Sequence, residues 1–175
     1  MLKTQRLILR EWKESDRAPF AIINACPLVC QYLPDTLNAQ ESNAMVDKII
    51  RKFEQDGFCF YAIEHKESGD FIGFCGLNKP GFNTDFTPCV EIGWRLLSQH
   101  WNRGYATEAA KAALNDGFNR LKLKEIIAFT VPDNTPSRRV MEKIGLQHDK
   151  AGDFDHPALP DGHALQRHVL YKISV

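Results

Sequence analysis

Two periods of apolar residues alternate along this chain, and the switches between them lay out its elements. Leu7 and Leu9 fall on one face of an extended run, with Arg6, Ile8 and Arg10 on the other, which predicts a first strand over Thr4–Trp12. A short helix is expected from about Ser15, with Asp16 in its first turn. Cys26–Leu37 holds Pro27 and Pro34 and is expected to be a loop with at most one helical turn. Asn38 followed by Glu41 makes a capping-box pattern; Met45, Ile49, Ile50 and Phe53 then recur at helical spacing, and Gly57 closes that helix. Phe58–Glu64 and Phe71–Leu77 are rich in aromatic and β-branched residues and flank the turn Glu67-Ser68-Gly69-Asp70, which predicts a hairpin.

A loop with Pro80, Gly81 and Pro88 leads to a strand at 89–97. From about Gly104 to Leu121 the period returns to that of a helix. Ala106, Ala109, Ala110, Ala113, Leu114, Phe118 and Leu121 form its apolar stripe, and Glu108, Lys111, Asn115 and Asn119 are expected to face away. Glu125–Val131 has the pattern of a buried strand. Asn134 is placed to cap a further helix, with Pro136 in its first turn, Val140, Met141 and Ile144 on its apolar side and Gly145 at its end. A short strand near Leu146–Asp149 and a last one near Gln166–Ile173 flank a loop rich in Gly and Pro. The order β-α-α-β-β-β-α-β-α-β predicts a single α/β (mixed α+β) domain, a mixed sheet with helices on both faces.

Composition narrows this little. The 175 residues suit one domain with a sizeable core. Lys+Arg 22 against Asp+Glu 22 leaves no global basic field to recruit nucleic acid. Residues 1–20 hold no apolar block suited to a signal peptide, and no run approaches the roughly 18–20 apolar residues that span a bilayer, so a cytoplasmic protein is expected. Five cysteines, Cys26, Cys30, Cys59, Cys75 and Cys89, are odd in number and lack a Cys-x-x-Cys pair, which argues against a disulfide framework or zinc knuckle. Cys59, Cys75 and Cys89 are expected to act as small buried hydrophobes.

Trp101-Asn102-Arg103-Gly104-Tyr105-Ala106-Thr107-Glu108-Ala109-Ala110 carries the most chemistry. The first N–H groups of a helix lack intrahelical partners and sit at the positive end of its dipole. Gly104 and Ala106 are small enough to let phosphate oxygens reach the backbone, Arg103 adds a cation and Thr107 a hydroxyl donor. By spacing alone this is equally an ordinary Gly-initiated surface helix. It is neither a Walker loop nor a Gly-x-Gly-x-x-Gly turn.

Trp101-Asn102-Arg103-Gly104-Tyr105-Ala106 resembles the acetyl-CoA pyrophosphate signature of the GNAT superfamily of N-acetyltransferases. Thr4–Arg10 is similar to the opening strand of its RimJ/RimL-like branch, the ribosomal-protein N-terminal acetyltransferases. Asn134–Leu146 resembles that branch's second cofactor motif. The resemblance implies a mostly antiparallel sheet with two splayed central strands and transfer of an acetyl group from acetyl-CoA to an amine by direct attack. It implies a bulge in the strand before the signature, where backbone groups of Arg95, Leu96 and Leu97 pair with the pantetheine arm and one N–H faces the thioester oxygen. Asn102, Arg103, Gly104, Tyr105, Ala106 and Thr107 would hold the diphosphate, Asn134 and Ser137 the pantetheine end, and Arg138, Arg139 or Lys143 would meet the 3′-phosphate or face solvent.

Glu91 is the expected catalytic base. It shares a strand face with Gly93, Arg95 and Leu97, and family members place a glutamate at the matching position; its other reading is a structural ion pair across the sheet. Many members carry a tyrosine that protonates the departing thiolate, and here that position is Met141. Ser137 is the substitute by resemblance, or else a first-turn serine satisfying helix N–H groups. His156, His163 and His168 lie near Asp153, Asp155 and Asp161, but their spacing matches no standard metal pattern, so no metal is expected. Asp153-Phe154-Asp155-His156 is expected to line the acceptor mouth and draw in a cationic amine. The acceptor is a protein N-terminal amine or a small molecule. No nucleic acid or membrane partner is expected, and a homodimer through an exposed sheet edge stays open. A non-catalytic CoA-binding module and a nucleotide-binding regulator are the rival readings.

Overall fold

The computed structural model describes residues 1–175. The strands are β1 (Leu2–Lys3), β2 (Leu7–Arg10), β3 (Phe60–His65), β4 (Phe71–Asn78), β5 (Glu91–Leu96), β6 (Glu125–Thr130), β7 (Gln147–His148), β8 (Phe154–Asp155) and β9 (Arg167–Ser174). The helices are α1 (Arg17–Ala25), α2 (Pro27–Cys30), α3 (Ala39–Asp56), α4 (Tyr105–Asn119) and α5 (Thr135–Lys143). The sheet runs β1-β2-β3-β4-β5-β6-β9-β7, with β8 also on β9. Every pairing is antiparallel except β5 with β6.

Side-chain alternation splits the core in two. A larger cluster joins Ile72, Cys75, Ile92, Leu96 and Ile126 of the strands to Tyr105, Ala109, Ala113 and Met141 of α4 and α5. A smaller one packs Phe71 and Phe74 against Phe20, Ile23 and Val46 of α1 and α3. Helices therefore cover both faces. Asn38 and Glu41 form the expected capping box, and Gly57 closes α3 with φ 75°, a left-handed conformation that glycine adopts at little cost. All five cysteines are free, and burial pushes the Cys59 thiol up to about 11. No helix is long and apolar enough to cross a membrane.

Two expectations need correction. The first strand is a short hairpin, β1 folding back on β2 with Leu2 opposite Leu9, rather than one continuous run. The reason lies on α4. Glu108, expected to face away, turns inward to accept from the Thr4 hydroxyl at 2.6 Å, the Arg6 N–H at 2.7 Å and Arg6 Nε at 2.7 Å. Burial alone raises the carboxyl's pKa, yet these donors outweigh it and the net shift is downward. Tertiary pairing thus sets both the turn and the facing of the helix.

A second ion cluster fastens β2 to the sheet. Arg10, only 8% exposed, donates to Asp16 at 2.7 and 2.9 Å and to Glu64 at 2.6 Å. The Arg10 guanidinium holds the Glu64 carboxyl below the usual carboxylate range. A folded pKa below the unfolded one contributes stability above the ordinary carboxylate value, and that contribution is lost as pH falls through the lowered value. Glu64→Gln is expected to flatten the acid side of the Tm-against-pH curve; an unchanged acid limb would contradict the pairing.

Candidate active site

The parallel neighbours β5 and β6 touch at one register position, Glu91 opposite Ile127, and then part. The hydrogen bonds give the direction of every group on β5. Ile127 N–H donates to Val90 C=O at 3.0 Å, while Leu97 N–H donates to Ile72 C=O on β4 at 3.0 Å. Even-numbered residues of β5 therefore turn their backbone groups toward β6, and odd-numbered ones bond β4. Past the last contact, the C=O of Ile92, both groups of Trp94 and the N–H of Leu96 open into the gap; the Leu96 C=O accepts from the Trp101 indole at 2.9 Å. This corrects the expected set. Arg95 spends its backbone groups on β4, Leu97 gives its N–H to Ile72 on β4 and accepts at its C=O from the His100 N–H at 2.9 Å, and the Leu96 N–H faces the gap. β5 also follows β4 without a register break, so the gap comes from β6 veering away rather than from a bulge.

At the mouth of the gap stands the N-terminus of α4. Asn102 and Gly104 both have positive φ, 58° and 79°. Gly104 caps the helix without any side-chain partner, and the first intrahelical bond is Glu108 N–H to Gly104 C=O at 3.0 Å. The N–H groups of Tyr105, Ala106 and Thr107 are thus bare, in the concave arrangement that binds anions. Arg6, read from sequence as an ordinary strand residue, braces this loop: Nη1 donates to the Arg103 C=O at 3.0 Å, and the guanidinium lies 4.6 Å from the Tyr105 ring centre. His100 Nδ1 is buried here without a hydrogen-bond partner.

One cavity of about 700 Å³ joins the gap to the α4 N-terminus, a size suited to a small ligand. It brings together Arg95, Leu96, Asn102, Gly104, Tyr105, Ala106, Thr107, Asn134 and Ser137 of the sequence-predicted set, with Met141, Arg139 and Lys143 beside them. Arg103, Leu97 and Glu91 are not in its lining. Asn134 caps α5 by accepting from Ser137 N–H at 3.3 Å and donates to the Thr130 hydroxyl at 2.9 Å, which leaves one amide hydrogen for a ligand. Arg138 faces elsewhere, onto the Tyr171 hydroxyl and the Pro132 C=O. Glu91 sits at the closed end of the gap. Asn78 Nδ2 donates to it at 2.6 Å, Lys52 backs Asn78 at 2.6 Å, and burial raises its pKa.

The far wall was not legible as such. His156 and His168 line the cavity with Phe129, Leu159 and Leu165, opposite Val29, Tyr32, Leu33 and Pro34. The two imidazoles lie 5.1 Å apart between centroids, and burial lowers the pKa of both. His168 Nδ1 meets the Gln166 C=O at 3.0 Å, which places the proton on Nδ1 and leaves Nε2 as an acceptor. The acids expected at the acceptor mouth are absent from it. Asp153 accepts from His148 and the Leu170 N–H, Asp155 pairs with Arg167, and Asp161 with Gln166. Phe154 instead packs this segment onto Phe82, Phe86 and Phe129, with Asp153 held against β9 by His148 and the Leu170 N–H and Asp155 exposed beside Arg167. A period-2 reading of β9 would have put His168 opposite Val169 and Tyr171, but nothing local says what lies across from it.

A splayed strand pair opening onto an uncapped helix N-terminus is the framework that the acetyltransferase resemblance implied. The chain belongs to the GNAT acetyltransferase family, whose acetyltransferase (GNAT) domain matches residues 6–147. It is 29% identical over 172 residues to the uncharacterized N-acetyltransferase YnaD of Bacillus subtilis, covering 98% of this chain and 95% of that one. The structure of a GNAT-family acetyltransferase from Bacillus anthracis superposes with a TM-score of 0.81 at 28% identity, covering 99% and 97% of the two chains. Mycobacterium smegmatis RimJ, solved in complex with CoA-disulfide, shares the fold with a TM-score of 0.74 at 22% identity, covering 97% of this chain and 82% of that one. The chain is an N-acetyltransferase with RimJ/RimL-type structural neighbours.

Proposed function

We propose that the protein transfers the acetyl group of acetyl-CoA to a primary amine by direct attack, with no acyl-enzyme. The observation that carries this is the single cavity joining the free backbone edge of β5 to the bare N-terminus of α4. The diphosphate would lie on the N–H groups of Tyr105, Ala106 and Thr107, with Arg139 and Lys143 as further cations. The pantetheine arm would pair with Trp94 and Leu96 as a strand inserted beside β5. An N–H from that edge facing the thioester oxygen would stabilise the oxyanion by about 3 kcal/mol. The amine lone pair attacks the carbonyl carbon, the C–S bond breaks, and the thiolate leaves. Met141 has no proton to give it; the Ser137 hydroxyl would stabilise the thiolate by donating a hydrogen bond, and the thiolate's proton comes from solvent after release.

The amine must first be neutral. For an alkyl amine that costs about 4–5 kcal/mol at pH 7, and for a peptide α-amine about 1 kcal/mol. One reading gives that proton to Glu91, which lies outside the cavity lining and would take it only through water. A second reading gives the proton to His168, and it is the one favoured, because His168 Nε2 belongs to a neutral imidazole in the cavity wall.

The test is a thermal-shift comparison of CoA with ATP, followed by an amine screen with free-thiol detection. Stabilisation by CoA alone and thiol release with some amines are expected. Stabilisation by ATP and none by CoA would make the protein a nucleotide-binding regulator. CoA binding with no acceptor at all would make it a binding module.

A further inference from the structure

The cavity has an unusual charge pattern. None of the residues that line it is Asp or Glu, yet Arg95 projects from β5 on the wall that faces α1 and α2. Arg95 makes no ion pair. Its Nη1 donates to Asn24 Oδ1 at 2.5 Å, and its guanidinium lies 5.6 Å from the Phe74 ring centre. Burial lowers its pKa, and no carboxylate counters that. A guanidinium carries five N–H donors, so most of this one's are uncommitted.

The side chain is also deliberately aimed. Asn24 is fully buried, and its Nδ2 donates to the equally buried Ser42 Oγ at 2.9 Å. The Leu37 N–H donates to the Asn24 C=O at 2.9 Å, which ties the Tyr32–Pro34 wall to the same residue. A buried chain of two neutral polar side chains thus positions one unpaired cation in the acceptor half of the cavity. Desolvating a cation is unfavourable without an anion beside it, and a planar fork matches a carboxylate with two parallel bonds. The remaining cations that line the cavity, Arg139 and Lys143, lie on α5, on the opposite sheet face.

Resting on the acetyl-transfer reading above, the geometry points to an acceptor that carries its amine and a free carboxylate on one small molecule, the carboxylate held by Arg95. Val29, Tyr32, Leu33, Phe129, Leu159 and Leu165 supply apolar walls, which suits an α-amino acid with an apolar side chain. Neutral His156 and His168, and the absence of Asp153 and Asp155 from the lining, where both are spent on other partners, fit this acceptor and disfavour a polycation.

The experiment uses matched probes. L-Phenylalanine and phenethylamine are compared as acceptors by thiol release, and N-acetyl-L-phenylalanine and N-acetylphenethylamine as product ligands by thermal shift in the presence of CoA. In the wild type the carboxylate-bearing member of each pair is expected to be favoured, by about 100-fold in kcat/KM and by the larger shift, because a site built for a polar group rejects the analogue that lacks it. Arg95→Gln is expected to collapse both preferences to within about threefold, and Arg95→Lys to restore part of them. Equal responses to the two members in the wild type, or a preference that survives Arg95→Gln, would overturn the proposal. Loss of the acetyl-transfer reading looks different: CoA would then give no thermal shift, or no amine of the wider screen, with or without a carboxylate, would release thiol.

Discussion

His168→Asn is expected to lower kcat by about 100- to 1,000-fold while leaving the CoA-induced thermal shift in place, the usual size of a lost general base. The argument is one of position and protonation together. His168 lies in the cavity wall, its Nδ1 proton is committed to the Gln166 C=O, and burial holds the ring neutral at pH values where a solvated histidine begins to charge. An imidazole that accepts a proton must be neutral, so kcat is expected to stay flat through neutral pH and to fall only below the ordinary imidazole range. Glu91→Gln is the paired control. Its carboxylate is held by Asn78 outside the lining, and a loss within about tenfold is expected, the scale of a contact that supports rather than performs the transfer. If the sizes came out reversed, the proton would belong to Glu91, relayed by water.

Gly73→Ala is expected to destabilise the fold by about 4 kcal/mol, from backbone strain and overpacking combined. Gly73 has φ 145°, a conformation that L side chains rarely adopt, and a Cβ there would lie 2.2 Å from the Arg95 C=O and 2.7 Å from the Leu96 Cα. Those atoms are backbone and cannot rotate aside. For a domain of this size the Tm would fall by roughly 10 °C. The collision also pushes on β5, whose far edge lines the gap, so CoA stabilisation is expected to shrink with it. Gly162→Ala is the comparison: φ is 80°, but nothing lies within 4 Å, and about 1 kcal/mol is expected. Similar melting shifts for the two variants would mean that β4 and β5 are not packed this closely.

The elements themselves were readable because their signals are local. The Asn38/Glu41 box, the left-handed Gly57, the small-residue stripe of α4 and the Asn134 cap each act within a few residues, and each appears where its pattern lies. The Trp101–Thr107 turn was readable for the same reason, since the left-handed Gly104 and the bare first N–H groups of α4 follow from consecutive residues.

What no local pattern encodes is which residues meet across the sheet. Alternation gave the two faces of β5 but not which edge of it would stay unpaired, because that depends on where β6 turns away. Glu108 carries the mark of a solvent-facing position, and only Thr4 and Arg6, a hundred residues earlier, turn it inward. Asp153 and Asp155 look like acceptor-site acids until Phe154 folds onto Phe82, Phe86 and Phe129 and carries them away. The sequence alone determined the main helices, the longer strands and the small-residue turn before α4, since short-range hydrogen bonding and periodicity suffice for those. The tertiary structure alone decided the charge of the cavity, because it set Arg95 in the lining and every carboxylate elsewhere through contacts between segments far apart in the chain.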